Sequence, residues 1–301
     1  MRYFAAAARH QNLSRAAEAV RVSQSVMSTS IDTMETELGL QLFERRPSKG
    51  ARLTAAGRDV LVKVRAILDQ VDSLGAEQGD AKAQVSGQLY VACFTPIAPI
   101  VLTPILRSFV KDFPLINVTI LEGNPRHVFD LIHRGEADVG ISYDEADMSA
   151  GLSSSALAVV PPHVVLAEGH PLSKNSQVSL HDISSEPLIL LDLPSSREYY
   201  TSIFVTAGIK PNFAYRTENY EMVRSLVGAG LGVALLQTRP PERMTYSGAK
   251  VVCLPLLEET RKSTLMVSST RQNATRASVR AFVEHCERRI RNGLDRRISV
   301  D

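Results

Sequence analysis

The sequence predicts an α/β protein whose N-terminal quarter folds as a separate, mainly helical domain. Residues 1–78 contain few strand-forming runs and show helical patterns separated by Gly, Pro and Ser signals. From Leu89 onward, short apolar runs alternate with amphipathic segments, which is typical of a sheet with helices on both faces. A polar stretch without an apolar stripe, residues 76–86, separates the two parts. We therefore expect a domain boundary near residue 80.

Composition and charge exclude several classes of protein. The 301 residues suffice for two domains, and 34 Lys and Arg nearly balance 32 Asp and Glu, which excludes polybasic tails and acidic disordered chains. The longest apolar stretch, residues 97–110, is interrupted by Pro99, Pro104 and Arg107, and Arg9 interrupts the apolar run near the start. We expect a cytoplasmic protein without a membrane span. Because the three cysteines are scattered and the histidines lack ligand spacing, we expect no disulfide, metal or cofactor.

Two short helices near the N-terminus have the spacing of a helix-turn-helix. Ser14 is predicted to cap a helix over residues 15–20, and Ser23 a second helix that ends at Gly39. In the second helix, Met27, Ile31, Met34 and Leu38 share one face. Such a second helix fits the major groove of B-DNA.

The predicted DNA contacts lie on the opposite face of that helix and in the wing that follows. Over residues 1–65 there are 11 Lys and Arg against 6 Asp and Glu, so the basic charge is concentrated here. From the helix pair alone, a small helical subdomain with a solvated charged loop is as good an interpretation of this segment as a DNA-binding domain. The predicted helix contacts are Ser23, Gln24, Ser25, Ser28 and Thr29, and the predicted wing contacts are Arg45, Arg46, Lys49 and Arg52.

Several motifs in this segment resemble the winged helix-turn-helix of LysR-type transcriptional regulators. The matching pieces are residues 13–17, 22–24, 38–39, 42–45 and 53–57. Ser25 stands where that family usually has proline, and Thr29 where it often has arginine. The resemblance implies a DNA-binding domain over residues 1–58, and we expect the wing's grip on the phosphate backbone to dominate its affinity.

A heptad pattern follows the wing in a helix that Thr54 is predicted to cap. Its apolar positions repeat with spacing 4-3-4-3, which favours a two-stranded coiled coil over packing on its own domain. The resemblance implies that this linker helix, residues 59–78, mediates dimerisation and that dimers usually pair into tetramers. The seam residues are Val60, Val64, Ile67, Val71 and Leu74.

Polar residues follow several predicted strands of the C-terminal region. In α/β folds small ligands bind beyond the carboxyl ends of strands, near helix N-termini. Hydroxyl and amide groups there suit a small anion, especially a carboxylate, and Arg197 offers a bidentate clamp. The alternative for any single residue is an ordinary helix cap. The predicted effector residues are Thr95, Pro96, Asn124, Tyr143, Ser195, Ser196, Arg197, Thr217 and Asn219.

The region of residues 89–291 resembles the LysR-type effector-binding domain, which has the type II periplasmic-binding-protein fold. The cues are residues 135–141, 170–172 and 227–236. The polar composition predicts a hinge at 79–88, and the resemblance implies an effector-binding domain over 89–301. Within it, we expect lobe I to comprise 89–160 and 265–291, and lobe II 161–263, with the effector between them.

The sequence thus predicts a ligand-responsive, homo-oligomeric bacterial transcriptional regulator that binds double-stranded promoter DNA and is not an enzyme. The alternative is a solute-binding protein of a transport system, which the second domain alone would permit. A third hypothesis is an α/β enzyme. The sequence contains no GxSxG nucleophile elbow, and no general-base partner for Ser196 is evident. For Cys93, a small buried apolar role is favoured over oxidant sensing. The sequence does not specify the effector, the operator or the direction of regulation.

Overall fold

The computed structural model describes residues 1–46, 50–73, 85–144 and 148–294. Its first part, here called the head, consists of three helices and a β-hairpin, and a long helix follows. The elements are α1 (Arg2–His10), α2 (Leu13–Ala19), α3 (Gln24–Leu38), β1 (Phe43–Arg46), β2 (Gly50–Leu53) and α4 (Ala55–Ser73).

Local capping explains where the head helices begin and end. The Ser23 hydroxyl accepts a hydrogen bond from the Val26 amide at 3.3 Å, and Gly39 closes α3 with a φ of +62°, as the sequence predicts. The predicted cap Ser14 is wrong, because Asn12 caps α2 instead. The Asn12 side-chain oxygen accepts from the amides of Ser14 and Arg15 at 2.9 and 3.1 Å. Asparagine one position before the helix therefore fixes its start.

The linker helix α4 starts inside the head and leaves it midway. The Thr54 hydroxyl caps it by accepting from the Gly57 amide at 2.9 Å. Leu61 and Val64 are buried in the head core, whereas Ile67 and Val71 are 40% and 47% exposed. The predicted heptad seam therefore lies in two environments. Its first half packs on its own domain, and its second half is exposed to solvent. Leu74 lies outside the described residues.

After α4 the chain builds a five-stranded sheet, which with its helices is here called lobe I. Residues 95–102 form short irregular helical turns before α5. The first elements are β3 (Gly87–Phe94), α5 (Thr103–Asp112), β4 (Ile116–Gly123), α6 (Pro125–His133), β5 (Val139–Tyr143) and β6 (Leu152–Val160).

The chain then forms a second α/β unit, here called lobe II, with its own core. Its strands pair as β10-β7-β11 and β8-β9, and a bridge between Leu188 and Val233 joins the two sets. The elements are β7 (His163–Ala167), β8 (Leu188–Leu191), α7 (Pro194–Thr206), β9 (Phe213–Thr217), α8 (Tyr220–Gly228), β10 (Ala234–Leu236) and β11 (Val251–Pro255).

The chain finally returns to lobe I through β12 (Ser263–Thr270) and α9 (Ala277–Arg289). The completed sheet has the order β4-β3-β5-β12-β6, in which β3 runs parallel to β4 and β5, and β12 is antiparallel to β5 and β6. Helices α5 and α9 share one apolar core, while α6 packs on the other face. Helices thus cover both faces, which confirms the predicted fold class.

Within the described ranges, no helix combines the length and apolar character needed to cross a membrane. The same part of the chain contains no group of three or more His, Cys, Asp and Glu that is placed to hold a metal ion.

Candidate functional site

The polar face of α3 is solvent-facing and internally ordered. Ser23, Gln24, Ser25 and Thr29 are exposed, and Ser28 is partly buried. The Ser14 hydroxyl donates to the Gln24 side-chain oxygen at 3.1 Å, and the hydroxyls of Ser23 and Ser25 lie 2.8 Å apart. These contacts hold the side chains at the helix start in place. The five predicted helix contacts therefore form one accessible polar surface.

The wing is attached to α3 through a carboxylate. Glu35 accepts hydrogen bonds from the amides of Leu42 and Phe43 at 2.6 and 3.0 Å, which fixes the chain entering β1. Strands β1 and β2 pair antiparallel, with Glu44 opposite Arg52. Arg52 is exposed. Of the other predicted wing contacts, Arg45 and Arg46 lie on β1 with side chains outside the described part, and Lys49 lies outside the described residues.

Sequence analysis missed one residue on the α3 surface. Val26 is 45% exposed, although it is apolar and directly follows Ser25. Val26 does not lie on the apolar face formed by Met27 and Ile31, so its exposure could have been predicted from the sequence. An exposed apolar side chain beside polar ones is the kind of group that can contact a thymine methyl in the major groove.

A cleft of about 390 Å³ lies between lobes I and II. It includes the end of β3, the end of β5 and the first turns of α7. Its lining residues are Phe94, Pro125, Tyr143, Asp144, Met148, Ser195, Ser196, Glu198, Tyr199, Ser202, Gln237, Arg261 and Ser263.

The N-terminus of α7 opens onto this cleft. Leu193 occupies the cap position and offers no polar side chain, and Pro194 follows at the first helical position. Ser195 and Ser196, in the first turn, line the cleft. First-turn amides and the positive end of the helix dipole favour a negative group at such a position. The arrangement suits an anionic group that also accepts hydrogen bonds from the two hydroxyls.

Groups of both charges surround the rest of the cleft. Arg261 supplies a cation, while Asp144 and Glu198 supply carboxylates. The Tyr199 hydroxyl donates to the Arg261 carbonyl oxygen. Burial raises the pKa of Tyr199 to about 12, so this phenol remains a protonated donor at neutral pH.

Gln237 contributes a buried donor to the cleft. Its side-chain nitrogen lies near the Tyr199 phenol without making a hydrogen bond to any described residue. A buried donor without a partner costs free energy, and a ligand in the cleft can supply the missing acceptor. Gln237 and Arg261 were not predicted from the sequence. Gln237 directly follows β10, so its place after a strand was a signal, whereas Arg261 lies in a loop without one. Tyr199 and Ser202 follow Ser195 at helical spacing, a signal that could have found them.

The predicted residue Tyr143 joins the two lobes. Its hydroxyl is hydrogen-bonded to the Thr238 hydroxyl, and the Tyr220 hydroxyl donates to the Thr238 carbonyl oxygen. Burial raises the pKa of Tyr143 well above its ordinary value, so the phenol stays neutral. Tyr143 therefore lines the cleft while bridging lobe I to lobe II.

The structure places only part of the predicted effector set in this cleft. Tyr143, Ser195 and Ser196 are together in the lining. Asn124 and Asn219 cap α6 and α8, accepting from main-chain amides at 2.8 and 2.9 Å. The predicted residues outside this lining, among those described, are Thr95, Pro96, Asn124, Arg197, Thr217 and Asn219.

Two of these residues have other partners close by. The half-exposed Arg197 side chain donates to the carboxylate of Asp192. The Thr217 hydroxyl accepts from the Asn219 amide at 3.2 Å. Cys93 is fully buried, and this burial raises the pKa of its thiol, which disfavours the reactive thiolate.

Comparison with known proteins covers both parts of the chain. Residues 1–58 match the family model for the bacterial regulatory helix-turn-helix protein of the lysR family, and residues 82–291 match the LysR substrate binding domain. The HTH-type transcriptional regulator CysB of Burkholderia cenocepacia is 30% identical over 226 residues, which cover 75% of this chain and 72% of that protein.

Solved structures agree over nearly the whole length. HinK, a LysR family transcriptional regulator from Pseudomonas aeruginosa, is 30% identical with a TM-score of 0.66, covering 96% of each chain. Full-length CbnR in complex with its target DNA shares the fold, with 22% identity, a TM-score of 0.57 and coverage of 96% of this chain and 98% of that one. The transport alternative is not favoured, because the head matches a DNA-binding domain. The chain belongs to the LysR family of DNA-binding transcriptional regulators, which are not enzymes.

Proposed function

We propose that a small anion, most simply a carboxylate, binds in the interlobe cleft and changes how paired heads sit on promoter DNA. The observation that carries this proposal is the cleft itself. It combines the N-terminus of α7, at Ser195 and Ser196, with the Tyr143–Thr238 contact that joins the lobes. A ligand seated there touches both lobes and favours one relative arrangement of them.

The charges in the cleft restrict the chemistry of the effector. The anionic group belongs at the α7 N-terminus, where amides, hydroxyls and the dipole act together. Asp144 and Glu198 repel negative charge, so the remainder of the effector carries hydrogen-bond donors or a positive group toward them. We infer a small polar molecule with one acidic end rather than a polyanion.

Promoter DNA is the proposed macromolecular partner. The face of α3 supplies the base contacts, and the basic wing supplies phosphate contacts. The shared fold with CbnR, whose structure contains its target DNA, supports this use of the head. The order imposed by the Ser14–Gln24 and Ser23–Ser25 contacts supports recognition by a pre-formed surface.

We propose that the chain self-associates through the open half of α4, as a dimer that can pair further. The exposed side chains of Ile67 and Val71 form an apolar strip on a helix, which a second copy can cover. Replacing both residues by Asp puts charge into that seam and is expected to lower the mass measured by light scattering. Asp59→Lys changes the charge by the same amount at an exposed position of α4 away from the seam, and it should leave the mass unchanged. An unchanged mass in the double variant contradicts the seam.

Calorimetric titration with a panel of small carboxylates and chemically matched amides tests the effector proposal. We expect a carboxylate to bind and its amide not to bind. Ser196→Glu places a negative charge at the α7 N-terminus and should abolish binding. The control Arg197→Ala alters the next residue, whose side chain pairs with Asp192 outside the cleft, and should retain binding. Loss of binding in the control but not in Ser196→Glu contradicts the proposed anion position.

A further inference from the structure

Four alternating charges join the linker helix to lobe I. The Arg65 guanidinium donates to Asp138 at 2.7 Å, Arg276 donates to the same Asp138 oxygen at 2.6 Å, and Arg276 also donates to Asp69 at 2.8 Å. Arg65 and Asp69 lie on α4, whereas Asp138 and Arg276 belong to lobe I. These four residues are here called the interdomain charge network.

The network is buried, and Asp138 and Arg276 each make several hydrogen bonds within it. Asp138 is 0% exposed, Arg276 3% and Arg65 6%. The second Asp138 oxygen accepts from the Tyr90 amide at 2.9 Å, and Arg276 donates to the Gln88 carbonyl at 3.0 Å. Charges removed from water need their partners in one geometry, because an unpaired charge there is costly. The network therefore permits one docking position rather than a range.

Further contacts extend this docking surface to the head itself. The guanidinium carbons of Arg9 and Arg65 lie 4.9 and 5.0 Å from the centre of the Tyr90 ring, within the range of cation–π interactions. The Gln11 side chain, just after α1, donates to the carboxylate of Glu136. A Cβ atom on Gly87 would lie 2.1 Å from the Asp69 carboxylate, so β3 approaches α4 as closely as glycine allows.

Three strands connect this surface to the interlobe cleft. Strand β5 begins at the residue after Asp138 and ends at Tyr143 in the cleft. Strand β3 passes the network at Gln88 and ends at Phe94, also in the cleft. Strand β12 runs from Ser263 in the cleft toward Asn273, whose side-chain nitrogen donates to the Asp138 carbonyl at 3.3 Å. At about 3.3 Å per residue, β5 spans roughly 17 Å.

We propose that the interdomain charge network fixes the DNA-binding head at one position on lobe I, and that Asp138 and Arg276 are positioning residues for DNA recognition. They act through Arg65 and Asp69. Asp138 directly precedes β5, which reaches the effector cleft, and Arg276 directly precedes α9. The DNA consequence rests on the proposed function, whereas the docking itself does not.

Hydrogen exchange of the full chain tests the docking. Arg65→Met and Asp69→Asn each remove one head-side member of the network. In both variants we expect exchange at least tenfold faster in residues 7–11 and 86–90, on the two sides of the contact, with α3 unchanged. Asp59→Asn is the matched control, because it removes the charge from an exposed contact of α4, in which Asp59 accepts from Gln272 of lobe I at 2.7 Å. It should change neither segment.

The DNA arm uses promoter fragments in which the distance between half-sites is changed by half a helical turn. The wild type should discriminate against the altered spacing, and both network variants should lose at least tenfold of that discrimination. Unchanged exchange in both variants overturns the docking role. Equally faster exchange in α3 also overturns it, because the network would then support the fold of the head rather than its position. If the wild type ignores the promoter while the exchange result stands, the proposed function fails and the docking remains.

Discussion

The head and the interlobe cleft differ in how their surfaces are assembled. The proposed DNA surface comes from one continuous stretch, residues 23–52, in which helix and hairpin follow each other directly. The cleft collects side chains from residues as far apart as Phe94 and Ser263. The first surface therefore depends on local helix and turn preferences. The second forms only when both lobes have folded and lie next to each other.

The two regions also use charge differently. Residues 1–65 carry 11 Lys and Arg against 6 Asp and Glu, a surplus that acts on DNA over distance. The cleft is lined by Arg261, Asp144 and Glu198, so its charges act on a ligand at contact range. Salt is therefore expected to affect the head strongly and the cleft weakly.

Lowering the pH should have the largest effect, because it is expected to destabilise lobe II more than the head. His163 of lobe II is fully buried, and neither ring nitrogen bonds to a described residue. Burial, with a contribution from Arg239, lowers its pKa to about 3, whereas the unfolded chain takes up the proton near 6.5. Between these values the unfolded state binds more protons, so lobe II loses stability as pH falls. The expected loss is about 1.4 kcal/mol per pH unit, about 5 kcal/mol in all.

Urea unfolding between pH 7 and 4, followed by hydrogen exchange in β7 and in α3, measures this difference. The free energy of opening should fall more steeply in β7 than in α3. His163→Leu should remove the extra slope, and His181→Gln, an exposed position in lobe II, should keep it. Equal slopes in His163→Leu and the wild type would show that another group controls acid sensitivity.

Removing wing charge should act on the head alone. Arg45→Ala combined with Arg46→Ala is expected to lower the slope of log affinity against log salt by about 1.8, or roughly 0.9 for each phosphate that the wing no longer neutralises. The control pair Arg107→Ala and Arg126→Ala removes two exposed cations from lobe I. Anisotropy titrations with promoter DNA at several salt concentrations give the slope. A reduced slope in the control pair, with an unchanged slope in the wing pair, would show that the DNA interface lies on lobe I and not on the wing.

The substitution Gln237→Leu should have the smallest effect. It is expected to stabilise the free protein and to weaken effector binding. Gln237→Leu removes a buried donor without a partner, so the free protein should gain about 1 kcal/mol of stability. Effector affinity should fall by roughly tenfold, because the donor that the ligand satisfies is gone. Thermal unfolding and calorimetry measure the two changes. Gln177→Leu, at an exposed position, is the control, and weaker folding with unchanged binding in Gln237→Leu would assign that amide a structural role.

Local patterns predicted the parts of the fold that local interactions determine. The limits of α3, between the Ser23 cap and Gly39, match the structure. The cap of α2 was misplaced, because Asn12 and Ser14 are both good caps and only the backbone geometry distinguishes them.

Residues whose partners are distant in sequence could not be predicted in the same way. The heptad spacing of α4 is real, but Val64 is buried in the head core rather than left for a second helix. Arg197 has the chemistry of an anion clamp, yet it pairs with Asp192 five residues earlier. Gln237 and Arg261 reach the cleft from loops, where no periodicity marks them. Tertiary packing decided the outcomes for Val64, Gln237 and Arg261, whereas the Arg197–Asp192 pair is a local contact.

A titration of the full chain on the DNA upstream of its own gene tests whether α3 reads a specific base sequence. The native fragment is compared with a scrambled fragment of equal length and composition, at fixed salt. We expect the native fragment to bind at least ~10³-fold more tightly, because α3 reads base edges that scrambling destroys. Equal affinity for the two fragments would show that α3 does not read base sequence.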